Sequence, residues 1–141
     1  MRAGRCKALL DAVRRAVGRL RLPPRSYIVV FGSVAEGRCS RLSDIDLAVR
    51  GLSFREVEKI AEAVEKETGR RVDIVPLESA GLPLLYKALG RGVFVAGDHS
   101  LYVEDKWRAT LRWLDYAEAY ERMHRAYRRR VLAAPVEEDK Q

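Results

Sequence analysis

The chain has 141 residues, 48% of them hydrophobic and 33% charged, which suits one folded domain and excludes a disordered chain. Its 27 basic and 20 acidic residues leave a net charge of +7, and 21 of the basic residues are arginine, whose planar fork suits phosphate recognition. Such a balance attracts polyanions without naming one. No apolar run approaches the roughly 18 residues that span a bilayer. The basic start, Met1 to Lys7, is followed by too short an apolar stretch for a secretory signal. Cys6 and Cys39 form neither a disulfide framework nor a zinc pattern, so the expectation is a reduced, cytoplasmic chain with no membrane anchor.

Helical spacing of Leu9, Leu10, Val13, Val17 and Leu20 predicts a helix over about 5–20, closed by Pro23-Pro24. Tyr27 to Phe31 is a short β-branched run of the kind buried strands use. Gly32-Ser33 ends it, and a loop of mostly small and polar residues, with Arg38 and Arg41 in it, runs from Val34 to Ser43. Asp44 to Arg50 alternates as a second strand. Ser53 with Glu56 three positions on reads as a capping box, opening a helix to about Thr68 that stops at Gly69. Arg71 to Pro76 is a third strand, Leu82 to Leu89 a short helix, and Gly92 to Val95 a fourth, edge strand. One long helical pattern runs from about Leu101 to Val131. The expected fold class is α/β (α+β): a small mixed sheet of three or four strands flanked by helices. It forms a single domain over 1–141, with a core at about 26–97, a C-terminal helix at about 100–131 and a flexible tail at 133–141 that carries Glu137-Glu138-Asp139.

Strand parity concentrates the chemistry. Asp44 and Asp46 fall on one face, about 6.6 Å apart along the strand at roughly 3.3 Å per residue, while Ile45, Leu47 and Val49 take the other. Asp73 falls opposite the core-facing Val72 and Ile74, so three carboxylates converge if the two strands are neighbours. Such a cluster is tolerable when a divalent cation neutralises it, and oxygen ligands suit Mg²⁺. Two such ions can clamp a phosphoryl transfer. The Gly32-Ser33 turn offers backbone N–H groups and a hydroxyl to phosphate oxygens, and a short helix starting at Ser33 would add its N-terminus. Neither a Walker P-loop nor an EF-hand loop fits these residues.

Gly32-Ser33, ten residues, then Asp44-Ile45-Asp46 resembles the minimal nucleotidyltransferases of the DNA polymerase β-like superfamily. Within it the sequence looks most like the MNT-domain antitoxins that accompany HEPN-domain toxins. The resemblance covers about Tyr27 to Val75. It implies the polymerase β-like nucleotidyltransferase fold. By position it makes Asp44, Asp46 and Asp73 the metal-binding and catalytic carboxylates, and Gly32-Ser33 the phosphate-binding turn. It also implies Mg²⁺, ATP as substrate, and transfer of AMP to a tyrosine of the HEPN toxin. Arg38 and Arg41 are candidates for phosphate contacts. Glu36 stands where family members often carry a basic residue, and Arg38 or Arg41 would have to compensate it. Two alternatives stay open. One is a non-catalytic antitoxin that acts by contact. The other is a nucleotidyltransferase for RNA or a small molecule, so nucleic acid is not excluded.

Val103, Trp107, Leu111, Leu114, Ala117, Tyr120, His124, Tyr127 and Val131 recur at spacings of 3 or 4. A 31-residue helix would reach about 46 Å, longer than the roughly 35 Å width of a domain this size. The far end is therefore expected to project as a surface for a partner or a second copy of the chain. His124 is expected to be packed rather than a ligand. Arg125 and Arg128 to Arg130 form a basic cluster near the helix end.

Overall fold

The computed structural model describes residues 2–133. The expected tail lies outside them, apart from Ala133, which ends the last helix. In chain order the elements are α1 (Arg2–Gly18), β1 (Tyr27–Phe31), β2 (Ile45–Arg50), α2 (Phe54–Thr68), β3 (Val72–Pro76), a 3-10 turn (Leu77–Ser79) and α3 (Leu82–Leu85). A π-helical turn (Tyr86–Gly90), β4 (Val93–Gly97) and α4 (His99–Ala133) follow. No described helix is long and apolar enough to cross a membrane.

The sheet order is β3-β2-β1-β4. β1 pairs antiparallel with β2 and β4, and β2 pairs parallel with β3, so the sheet is mixed as expected and β4 lies at an edge. The all-apolar β1 is buried along its whole length because both of its faces are covered. Ile28 and Val30 join Leu47, Val49, Val13, Val17, Ile60 and Val64 under α1 and α2. Tyr27, Val29 and Phe31 join Ala48, Leu77, Leu89, Leu101 and Tyr102 under the π turn and α4.

The α2 caps form as the sequence predicts. Ser53 and Glu56 exchange both capping-box bonds, and Gly69 closes the helix in the left-handed conformation at φ 66°. Arg15 and Arg19 reach Glu67 and tie α1 to α2. The expected helix over 82–89 splits into a four-residue α3 and a wider π turn. The Tyr86 ring lies so close to Gly90 that a Cβ there would meet Tyr86 Cε1 at 2.7 Å.

Two buried features anchor the ends of the molecule. Tyr27 Oη donates to Asp105 Oδ2 at 2.7 Å, and Arg50 pairs with the same carboxylate, fastening the start of α4 to the sheet. Burial, then the Asp105 contact, pushes the Tyr27 hydroxyl pKa far upward, so it stays a donor at any ordinary pH. At the other end Cys6 and Cys39 form a disulfide, with Cα atoms 5.7 Å apart. This corrects the expectation of unpaired thiols. Thirty-three residues separate the two cysteines, and only the packing of α1 against the loop after β1 brings them together. Closing a loop of that length stabilises a fold by about 3–4 kcal/mol on chain-entropy grounds. Cys6→Ser is expected to lose a comparable amount in denaturant melts, and adding reductant to the wild-type chain should reproduce most of that loss.

Candidate active site

The C-terminal end of β1 and the starts of β2 and β3 meet on the sheet face opposite α1 and α2. Phe31 is the register partner of Asp46, and Asp46 is the register partner of Asp73. The two carboxylates therefore sit side by side on adjacent strands, as parity predicts if β2 and β3 are neighbours. Asp44 precedes β2 in the exposed loop and adds its charge to Asp46 from there. Burial, then the charge of Asp73, raises the Asp46 pKa above the usual carboxylate value, with Asp44 adding to the rise and Lys87 opposing it. Asp73 itself leans on Arg71, 3.5 Å away.

Gly32 follows directly at φ +76°, a left-handed conformation that favours glycine. A Cβ on it would also meet Asp46 Oδ2 at 2.5 Å, so the missing side chain is what lets the carboxylate lie against the backbone. After it the chain makes one tight turn. Glu36 N–H donates to Gly32 O at 3.0 Å, and Arg38 N–H donates to Ser33 O at 2.8 Å. No helix grows from Ser33, which corrects that expectation. Gly37 turns left-handed at φ +73° and ends the turn.

The loop from there to Asp44 is held at two points. Cys39 is tied to α1 by the disulfide. Arg70, at the start of the segment into β3, donates from Nη1 to Ser40 O at 3.0 Å and to Ser43 O at 2.9 Å. No sequence pattern marks Arg70, because its targets are main-chain carbonyls.

The two candidate phosphate contacts fare differently. Arg38 pairs with Glu36 at 3.2 Å, and Arg91, just before β4, reaches the same carboxylate at 3.7 Å. Of the two arginines named against Glu36, Arg38 pairs with it and Arg41 does not, and Arg91 is its second partner. Arg41 is exposed and makes no ion pair among the described residues. Lys87 is the other cation the sequence reading missed. It acts on Asp46 electrostatically, and its Nζ stands 6.0 Å from the Phe31 ring centroid. Its only sequence signal was its place in the segment that follows the third carboxylate strand.

A divalent cation fits the donor chemistry of this corner. Asp46, Asp73 and Asp44 are hard oxygen donors whose mutual repulsion such an ion relieves. Among the described residues no three His, Cys, Asp or Glu side chains close into a ready coordination group. The remaining ligands would come from substrate phosphates and water, as Mg²⁺ usually requires. His124, expected to be packed, is exposed on α4 and stacks on Tyr120 at 5.8 Å.

This mixed sheet, with paired aspartates beside a glycine-serine turn, defines a nucleotidyltransferase-type domain. The family described as "Polymerase beta, Nucleotidyltransferase" matches residues 25–100, and the chain belongs to that family. A toxin–antitoxin crystal structure with AMP-PNP matches at 20% identity and a TM-score of 0.61, over 84% of this chain and 97% of that one. The complex of a tri-AMPylated Shewanella oneidensis HEPN toxin with its MNT antitoxin matches at 18% identity and a TM-score of 0.51, over 90% of this chain and 98% of that one. A protein provisionally described as a minimal nucleotidyltransferase matches at 30% identity and a TM-score of 0.50, over 66% of this chain and 95% of that one. No curated protein shows significant sequence similarity to the chain.

The raised Asp46 pKa has a direct consequence for stability. Above its unfolded value the folded carboxyl holds its proton more tightly than the unfolded one, so stability falls as pH rises from the unfolded toward the folded value. In chelator-treated protein, Asp46→Asn is expected to raise Tm by a few degrees at neutral pH and to flatten the decline in Tm across the mildly acidic range. Thermal melts of wild type and variant at several pH values check this.

Proposed function

We propose that the chain is a Mg²⁺-dependent nucleotidyltransferase that moves AMP from ATP to a hydroxyl, a tyrosine of a HEPN-type partner toxin, and so acts as an antitoxin. The observation that carries this reading is the Asp46–Asp73 pair, in register on adjacent strands, with Asp46 seated against Gly32. Likeness in fold to toxin–antitoxin complexes, one with AMP-PNP and one with an AMPylated toxin, supports the nucleotide and the partner.

Asp44, Asp46 and Asp73 would hold the metal, which when bound neutralises the phosphates and the leaving group. The Gly32-Ser33 turn would hold the terminal phosphates through backbone N–H groups and the Ser33 hydroxyl. Lys87 and Arg38 would add positive charge, Arg38 remaining linked to Glu36. The acceptor oxygen forms a bond to the α-phosphorus as the bond to the bridging oxygen breaks and pyrophosphate leaves. Asp73, the outermost of the strand-borne carboxylates, would take the hydroxyl proton and pass it to solvent. Positioning and charge do most of this work.

The acceptor is proposed as a macromolecule because α4 presents a long unpartnered face. Trp107, Leu111, Leu114, Tyr120, Tyr127 and Val131 are all more than half exposed there. That same face favours a second reading, in which contact alone neutralises the partner. Incubation with labelled ATP, Mg²⁺ and the product of the adjacent gene separates the two. Wild type is expected to label the partner, and Asp44→Ala/Asp46→Ala to lose at least a thousandfold in rate, on the scale of removing a main catalytic group. Toxin neutralisation that survives the double substitution would favour contact alone.

A further inference from the structure

Beside the turn that follows Gly32 lies a cleft of about 480 Å³ whose walls include Glu36, Arg38, Tyr86, Lys87, Arg91 and Trp113. Its volume falls in the ~300–1,000 Å³ range of small-molecule sites. Lys87 in its wall stands 6.0 Å from the ring of Phe31, the register partner of Asp46, and Glu36 N–H donates back to Gly32 O, so the cleft adjoins the carboxylate corner. Three cations against one carboxylate make the cleft attractive to an anion, but a phosphate chain needs no aromatic wall. This cleft has one. The Tyr86 and Trp113 rings are stacked, 5.0 Å between centroids and 10° from parallel. Tyr86 comes from the π turn and Trp113 from α4, so two separate elements converge to build it. Trp113 is half-buried where its helix neighbours Tyr116 and Tyr120 are exposed.

We infer that this cleft holds the base of the nucleotide whose phosphates lie at Gly32-Ser33 and Asp46, with the Tyr86–Trp113 pair as its stacking wall. The inference rests on the nucleotidyltransferase reading and extends it to specificity. A stacking wall reads ring area and not the hydrogen-bonding edge. Glu36, the one carboxylate among the six wall residues named above, is engaged by Arg38 and Arg91 and so is a poor edge reader. The site therefore prefers purine over pyrimidine nucleotides.

Trp107 is 65% exposed on α4, so Trp107→Phe leaves Trp113 as the sole tryptophan of the full chain at little cost. In that background, with Mg²⁺ present, ATP and GTP are expected to quench Trp113 fluorescence and to bind several-fold tighter than CTP, because a purine lays more ring area on the wall than a pyrimidine. Inorganic triphosphate should compete with ATP without quenching. By calorimetry Trp113→Ala should bind ATP no better than CTP, with triphosphate affinity unchanged. Trp113→Phe, which keeps a ring, should retain the preference, and circular dichroism confirms that each variant is folded. Equal binding of ATP and CTP, or a purine preference that survives Trp113→Ala, overturns the inference and leaves the proposed function standing. Failure of ATP, CTP and triphosphate alike to bind overturns both.

Discussion

Two carboxylates facing each other across a parallel strand pair repel, and the structure is organised around holding them there. Asp46 and Asp73 are register partners, so moving them apart would mean breaking the β2–β3 ladder. That ladder is locked by Ile45, Leu47 and Val49, which are buried under α1 and α2. A one-residue slip would turn those side chains outward and the aspartates inward. The apolar face of β2 thus enforces the strain on its polar face. Gly32 removes the last obstacle by leaving room for the Asp46 carboxylate. Lys87 relieves part of the charge.

The surrounding loops are tied down rather than left free. The disulfide fastens Cys39 to α1, and Arg70 grips Ser40 and Ser43, so the segment between the glycine-serine turn and Asp44 is held from both sides. Holding a charged site in fixed geometry before substrate arrives lowers the reorganisation needed later. On the opposite wall, Arg91 and Arg38 share Glu36 and turn an acidic residue beside the site into the centre of a cationic cluster.

Helix α4 has two characters along its 35 residues. Its first turns are part of the domain. Asp98 caps them by accepting from Leu101 N–H, Asp105 receives Tyr27 and Arg50, and Leu101, Tyr102 and Ala109 are buried. Beyond Trp113 none of its described residues is buried. There Tyr116, Tyr120 and His124 stack on one another along the helix, exposed. The apolar spacing that predicts one long helix is correct, and the same spacing hides the fact that only its first part has a core to face.

What the sequence determined by itself was local or periodic. The β-branched run of β1, the Ser53–Glu56 capping box, the stop at Gly69 and the parity of Asp46 and Asp73 within their strands each depend on residues a few positions apart. Backbone geometry relates such residues without help from the rest of the chain. The adjacency of β2 and β3, which makes parity into a carboxylate pair, was conditional until the sheet order settled it. The Cys6–Cys39 bond, the Arg70 grip, the Arg91–Glu36 pair, the approach of Lys87 to Asp46 and the stacking of Tyr86 on Trp113 were decided only by the tertiary structure. Each joins residues from different elements, and no spacing rule links them. They exist because burying two faces of one sheet forces α1, the π turn and α4 into particular places, and the polar and aromatic groups those elements carry arrive together as a consequence.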